Sequence, residues 1–299
     1  MYLTVVSVNI GIFILLALSL NIITGYAGQP ALGHAAFFGI GAYTSAILTT
    51  SYGMNFWLSI PFAFIMAGIM GGFLGLISIR MRDDFLAITS IGINFVVVAI
   101  FQYSDFFGGS LGISLKRPYF FGMKVTATGY LILIGLMILG TVLLILKMKR
   151  SWFGLALSSI RNDETAAASF GIDVNRYKVL AFTLGTAIAG MTGAVYAHHM
   201  TFIYSSDFAF IVSISILSMV VIGGIGTIRG PIFGAILLGA APELFRFFAD
   251  YRMIVYGGLL VFMMRFQSQG FLGYDSVLVR AFKKLFPGGL KKKEGEIIG

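Results

Sequence analysis

The chain has 299 residues, of which 58 % are hydrophobic and only 11 % are charged. Soluble domains are about 45–50 % apolar and about 25 % charged, so a soluble globule of this size is excluded. The high apolar content also excludes a disordered chain. The absence of cysteine excludes a disulfide scaffold, thiol catalysis and cysteine-based metal centres. The composition therefore indicates an integral membrane protein.

Mostly apolar stretches follow one another along the chain, and each is close to the 20 or so residues that a transmembrane helix needs. We predict an all-α, polytopic transmembrane bundle of about nine spans, with a range of eight to ten. The predicted spans are 3–23, 31–50, 56–79, 85–104, 127–146, 179–199, 208–226, 231–249 and 253–272. We expect no cleaved signal, because no basic region precedes the first apolar stretch.

The basic residues predict the orientation of these spans. Sixteen of the 21 lie on one side, six of them between Lys147 and Lys178. The positive-inside rule then places the N-terminus outside and the C-terminus in the cytoplasm. The basic tail, 280–299, would be cytoplasmic and is expected to contact anionic lipid or to fix the orientation. The net charge of +9 thus reflects topology, and no basic soluble face for nucleic acid is predicted.

Glycine and other small residues recur at every fourth position in the third, sixth and eighth spans. This spacing favours close helix packing in a membrane. Two further glycine-rich segments, 25–34 and 223–231, lie at the entrances of spans. Neither contains the Gly-x-x-x-x-Gly-Lys-[Ser/Thr] pattern of a phosphate-binding loop. Close packing explains most of these glycines, and the lining of a passage is the alternative for the remainder.

The longest polar insertion before the tail is residues 150–178, where a short helix is predicted over Asn162–Phe170. Asn162 or Asp163 is a suitable N-cap, Glu164 favours the first turn electrostatically, and Gly171 fits a left-handed C-terminal cap. Alanines between these ends favour the helix.

One face of this helix would present Ala166, Ala167 and Phe170 as a small apolar ridge. Such a ridge suits a groove on a partner protein. The alternative is an amphipathic helix lying on the bilayer, which alanine anchors poorly. A bulky charged residue at Ala167 is expected to block docking and leave membrane insertion intact.

Three parts of the sequence together resemble the LivM-type permease subunits of branched-chain amino acid ABC importers. The first is Leu20–Gln29 followed by Leu32–Tyr43, the second is Arg161–Lys178, and the third is Met219–Gly226 with Gly230–Pro231 and Gly234–Ala235. The resemblance covers nearly the whole chain. It departs from the family at Pro30 and in the outer loop 105–123.

The resemblance implies a single permease domain over 1–299 that moves branched-chain or other apolar amino acids into the cytoplasm across the bacterial inner membrane. Its partners would be a second homologous permease in a heterodimer, two cytoplasmic ABC ATPases and an extracytoplasmic substrate-binding protein. The chain itself would be non-catalytic and bind no cofactor, because ATP and magnesium would be used by the ATPases.

The resemblance also implies roles for particular residues. The helix in segment 150–178 would be the coupling helix that docks on an ATPase, formed by Asn162, Asp163, Glu164, Ala166, Ala167, Phe170 and Gly171. The pathway-lining candidates are Gly25, Gly28, Gly33, His34, Gly39, Gly41, Gly223, Gly224 and Gly226.

Other functions stay open at this point. The alternatives within transport are an ABC importer for urea or short amides, an ion-driven secondary amino acid transporter and a passive channel. A secondary transporter usually needs carboxylates in the membrane, and nearly all acids here fall at span ends or in loops. An intramembrane enzyme would need converging acid, base or metal ligands, whereas His34 is isolated and His198 and His199 are predicted on different helix faces.

Overall fold

The computed structural model describes residues 2–79, 81, 83–120, 123–244 and 258, and most of these residues are helical. The helices are α1 Tyr2–Leu20, α2 His34–Thr50, α3 Phe56–Ser78, α4 Asp83–Tyr103, α5 Ala127–Lys149, α6 Trp152–Asn162, α7 Glu164–Ser169, α8 Val174–Met200, α9 Phe210–Gly223 and α10 Arg229–Leu244. A π-helical turn, Asn21–Tyr26, continues α1, and 3-10 turns lie at Asp105–Phe107, Gly109–Leu111 and Ser205–Phe208. The predicted span 253–272, apart from Gly258, and the tail 280–299 lie outside the described residues.

Six helical stretches of the described chain are long and apolar enough to cross a membrane. They are Tyr2–Tyr26, Phe56–Ser78, Phe85–Tyr103, Ala127–Lys149, Val174–Met200 and Ser205–Gly223. Each coincides with a predicted span. The helices α2 and α10 are shorter, with 17 and 16 residues. The multi-pass helical bundle is therefore confirmed, while the total of nine spans and their orientation stay predictions.

The second span begins later than predicted, at His34 instead of residue 31. Residues between the π turn and His34 are not helical, so their N–H groups need partners outside a helix. Leu32 N–H donates to Ser90 Oγ over 2.9 Å, and the N–H of Ala35, in the first turn of α2, donates to Ser213 Oγ over 2.9 Å. Irregular backbone at membrane depth is tolerated where protein groups satisfy it in this way.

The sixth predicted span begins earlier than expected, at Val174 instead of residue 179. Asp173 is its N-cap, since the carboxylate accepts the Arg176 N–H over 3.2 Å. The polar start of α8 therefore extends the helix beyond the apolar stretch.

Small residues bring α3 and α8 into close contact, as their spacing predicts. A side chain on Gly71 would collide with Thr186, and one on Gly190 would collide with Ala67. Each position must be glycine for the two helices to approach this closely.

Short β-ladders, which the all-α prediction does not contain, lie in the loops at one end of the bundle. β1 Ile113–Ser114 pairs antiparallel with β4 Phe202–Ile203, and β2 Tyr119–Phe120 pairs antiparallel with β3 Met123–Lys124. β1 follows α4, and β4 follows α8. Segment 150–178 joins the opposite ends of α5 and α8, so it lies at the other end of the bundle.

Candidate coupling site

Segment 150–178 folds as two helices, α6 and α7, instead of one helix over Asn162–Phe170. Asn162 is the last residue of α6, and Asp163 has an extended backbone between the helices. The Asp163 carboxylate accepts the N–H groups of Thr165 and Ala166 over 2.9 and 3.0 Å. Asp163, which is one of the two predicted N-caps, is therefore the N-cap of α7. This cap separates α7 from α6.

The end of α7 is a Schellman motif, in which Gly171 has the predicted left-handed conformation with φ of 81°. Ile172 N–H donates to Ala167 O over 3.2 Å, and Gly171 N–H donates to Ala168 O over 2.9 Å. Next to this turn the side chain of Phe170 is 87 % exposed. A short helix that is capped at both ends thus presents one large apolar side chain to its surroundings.

The prediction that Ala166, Ala167 and Phe170 form an exposed ridge is wrong for one of the three residues. Ala166 and Phe170 are exposed, but Ala167 is only 3 % exposed and faces the protein itself. On the same helix the Glu164 carboxylate forms an ion pair with Lys178 of α8. Ala167 is buried because α7 packs against other parts of the chain, α6 and α8 among them. Helix periodicity alone does not specify this packing.

Arg161, at the end of α6, connects this segment to both glycine-rich segments. Its Nη1 donates to Gly25 O over 2.5 Å. The same guanidinium lies against Gly226, where an added side chain would collide with Nη1. Arg161 is not among the predicted site residues, and its signal in the sequence is its position in the predicted coupling loop.

Asn21 joins the two glycine-rich segments directly. Its side chain is fully buried. Its Nδ2 donates to Thr227 O and its Oδ1 accepts the Gly226 N–H, both over 2.8 Å. A buried amide that makes both bonds fixes the π turn against the start of α10. The sequence signal for Asn21 was weak, because it is one of two asparagines, with Asn9, inside the apolar stretch 3–23.

Most of the predicted pathway residues pack against other residues of the same chain. A side chain on Gly33 would collide with the Ser90 backbone, and one on Gly41 would collide with Gly190. Of the nine candidates only Gly28 is exposed. These contacts agree with close helix packing, which was one of the two interpretations of the glycine-rich segments, the other being the lining of a passage. A role in lining a passage stays a prediction.

A comparison of the sequence with known proteins identifies the family of the chain. The family model described as "Branched-chain amino acid transport system / permease component" matches residues 2–264. The chain belongs to this family. It is thus a permease component of a transport system and a multi-pass membrane protein.

Relatives of this permease include proteins named LivM and LivH. The chain is 34 % identical to the high-affinity branched-chain amino acid transport system permease protein LivM of Escherichia coli (strain K12), over 87 % of this chain and 68 % of the relative. It is 23 % identical to the probable LivM of Methanocaldococcus jannaschii, over 92 % of this chain and 94 % of the relative. A probable LivH permease of the same organism is 24 % identical, over 79 % and 78 %. No solved structure matches the chain.

The histidines of the permease lie apart from one another. His34 is buried at the start of α2, where its Nε2 is hydrogen-bonded to Ser19 Oγ over 2.7 Å. His198 lies near the other end of α2, with its Nε2 3.2 Å from Thr49 Oγ1. The His199 ring instead packs on Tyr130 of α5, with 5.1 Å between ring centroids. The prediction of different helix faces for His198 and His199 is confirmed.

Proposed function

We propose that this permease is the membrane subunit of an ATP-driven importer that moves branched-chain or other apolar amino acids into the cytoplasm. The relatives with 23–34 % identity carry names for branched-chain amino acid transport, which supports this substrate class. The observation that carries the coupling mechanism is the exposed Phe170 on a doubly capped helix outside the candidate membrane spans.

The topology belongs to the same proposal. Nine spans, with the N-terminus outside, place segment 150–178 in the cytoplasm with most of the basic residues. The helix α7 is then on the side where ATP is available. The strand ladders at the other end of the bundle would face the extracytoplasmic substrate-binding protein.

In this mechanism α7 is the coupling helix and Phe170 fills a groove on an ATPase subunit. A movement of the ATPases would displace α7, and two contacts would transmit this displacement to the membrane spans. One is the ion pair of Glu164 with Lys178 of α8. The other is Arg161, which bonds Gly25 and lies against Gly226. A ligand-driven change of this kind shifts the equilibrium between outward-open and inward-open states.

The remaining partners follow from this assignment. Two ABC ATPases would bind ATP and magnesium, so the permease would need no cofactor of its own and would perform no covalent chemistry. A second permease would complete a heterodimer, which is consistent with the similarity of this chain to both LivM and LivH proteins. The expected location is the bacterial inner membrane.

Uptake by the reconstituted importer tests this proposal against an ion-driven transporter. Proteoliposomes that contain the permease, its ATPases and its binding protein should take up leucine only when ATP is supplied to the ATPase side. Uptake should continue when an uncoupler and an ionophore collapse the ion gradients. Uptake that stops under the uncoupler at constant ATP would refute the ATP-driven mechanism.

A further inference from the structure

A small pocket lies where α5 ends and α6 begins. Its volume is about 280 Å³, and its wall includes Lys149, Arg161, Ser158 and Tyr26. Lys149 is in the last turn of the candidate span Ala127–Lys149. The pocket is therefore at the level where a membrane span ends.

The described residues that line the pocket carry positive charge. The Lys149 ammonium lies 5.5 Å from the centre of the Tyr26 ring, which places it on the wall. Arg161 uses one terminal nitrogen for Gly25 O, and a guanidinium has five N–H donors in all. Ser158 adds a hydroxyl, and no carboxylate occurs among the lining residues that the structure describes. Two cations and a hydroxyl in one cavity are suited to a phosphate group.

Exposed apolar side chains flank this positive pocket on α6. Trp152 is 86 % exposed and Leu155, which also lines the pocket, is 58 % exposed. They are three positions apart, so they share one face of the helix. Tryptophan is enriched at membrane–water interfaces. An ion dissolved in water gains nothing from these apolar side chains, whereas a lipid whose acyl chains lie beside its headgroup is stabilised by them.

From these observations we infer that the pocket binds the phosphate of an anionic phospholipid headgroup, with the acyl chains running along the apolar face of α6. Basic pockets between helices at a membrane surface are a known form of lipid recognition. The lipid would then bridge α5, α6 and the π turn that carries Tyr26. The inference does not depend on the proposed direction of transport, because it holds for either membrane face.

Native mass spectrometry of the full-length permease, purified in the complex it forms in its membrane, tests the inference. Phosphatidylglycerol and zwitterionic phosphatidylcholine are titrated separately. The wild type should bind one phosphatidylglycerol per permease chain in preference to phosphatidylcholine. Lys149→Gln should weaken this binding about fivefold, as expected for one lysine near an anionic lipid. Lys147→Gln removes the same charge two positions away, outside the pocket, and should leave the affinity within about twofold.

A second pair of variants keeps the test independent of Lys149. Ser158→Asp places a negative charge in the pocket and should reduce phosphatidylglycerol binding, while Ser159→Asp, on the next residue and outside the lining, should not. Inorganic phosphate at 100-fold excess over the lipid should not displace it. Equal affinity for both lipids, equal effects within either pair of variants, or displacement by inorganic phosphate would overturn the inference. Displacement would assign the pocket to a soluble phosphate.

Discussion

Asn21 and Gly226 are 205 positions apart in the sequence, yet the Gly226 N–H donates to the Asn21 side chain over 2.8 Å. This bond, together with the one from Asn21 to Thr227 O, holds the π turn after α1 against the segment before α10. The proposed coupling residue Arg161 contacts the same two segments. One buried amide therefore fixes the surface on which Arg161 lies.

Replacing Asn21 with leucine should destabilise the permease by about 2–4 kcal/mol, because two buried backbone groups lose their partners. Thermal unfolding of the purified permease in nanodiscs measures this loss. Thr24→Val is the matched control, since Thr24 is in the same π turn and its hydroxyl donates within its own helix, to Leu20 O. Similar unfolding curves for both variants would contradict the role given to Asn21.

Replacing Arg161 with alanine should uncouple ATP hydrolysis from transport. A hydrogen bond to a charged group contributes about 1.5–3 kcal/mol, so its loss should reduce coupled uptake about 10- to 100-fold. ATP hydrolysis by the assembled importer should stay within about twofold, because α7 and Phe170 still dock. The ratio of uptake to hydrolysis in proteoliposomes is the measurement.

Arg176→Ala is the control for this experiment. Arg176 belongs to the same segment, but its ion pair with Asp173 is exposed, with 83 % of the arginine side chain accessible. Exposed pairs contribute about 0–1 kcal/mol, so uptake should change little. If Arg161→Ala retains the wild-type ratio of uptake to hydrolysis, Arg161 does not transmit the movement of the ATPases to the membrane spans.

Phe170 should be the anchor of the ATPase interface. Burial of a phenylalanine side chain contributes about 2 kcal/mol, so Phe170→Ala should weaken ATPase binding about 30-fold. Microscale thermophoresis with labelled ATPase subunits measures the affinity. Leu111→Ala removes another large apolar side chain, 86 % exposed, at the opposite end of the bundle and should have no effect. An unchanged affinity for Phe170→Ala would remove α7 from the interface.

The features that could be predicted from the sequence depend on residues close together in the chain. The cap by Asp163 and the left-handed turn at Gly171 each involve atoms within a few residues. The small residues around Gly71 and Gly190 were also predictable, because their four-residue spacing is itself the condition for close packing. Apolar length placed six of the spans, although polar caps such as Asp173 moved their ends.

The contacts that organise the candidate site could not be predicted in this way. Arg161 and Gly25 are 136 positions apart, and no local pattern relates an arginine to a distant carbonyl. The burial of Ala167 depends on the direction in which α7 folds back after Asp163. Helix periodicity indicates which residues share a face, but it does not indicate which neighbour that face meets.

The burial of Ala167 changes the expected result of a substitution there. A glutamate at this position would place an unpaired charge against the protein interior, which is strongly unfavourable. Ala167→Glu should therefore detach α7 from the rest of the bundle, even when no ATPase is present. Hydrogen exchange of the isolated permease should show faster exchange for the amides of 163–172 and little change in α3. Ala166→Glu makes the same replacement at the exposed neighbouring position and should leave exchange in this segment near the wild-type rate. Equal protection in the two variants would show that α7 does not rely on Ala167 for its attachment to the bundle.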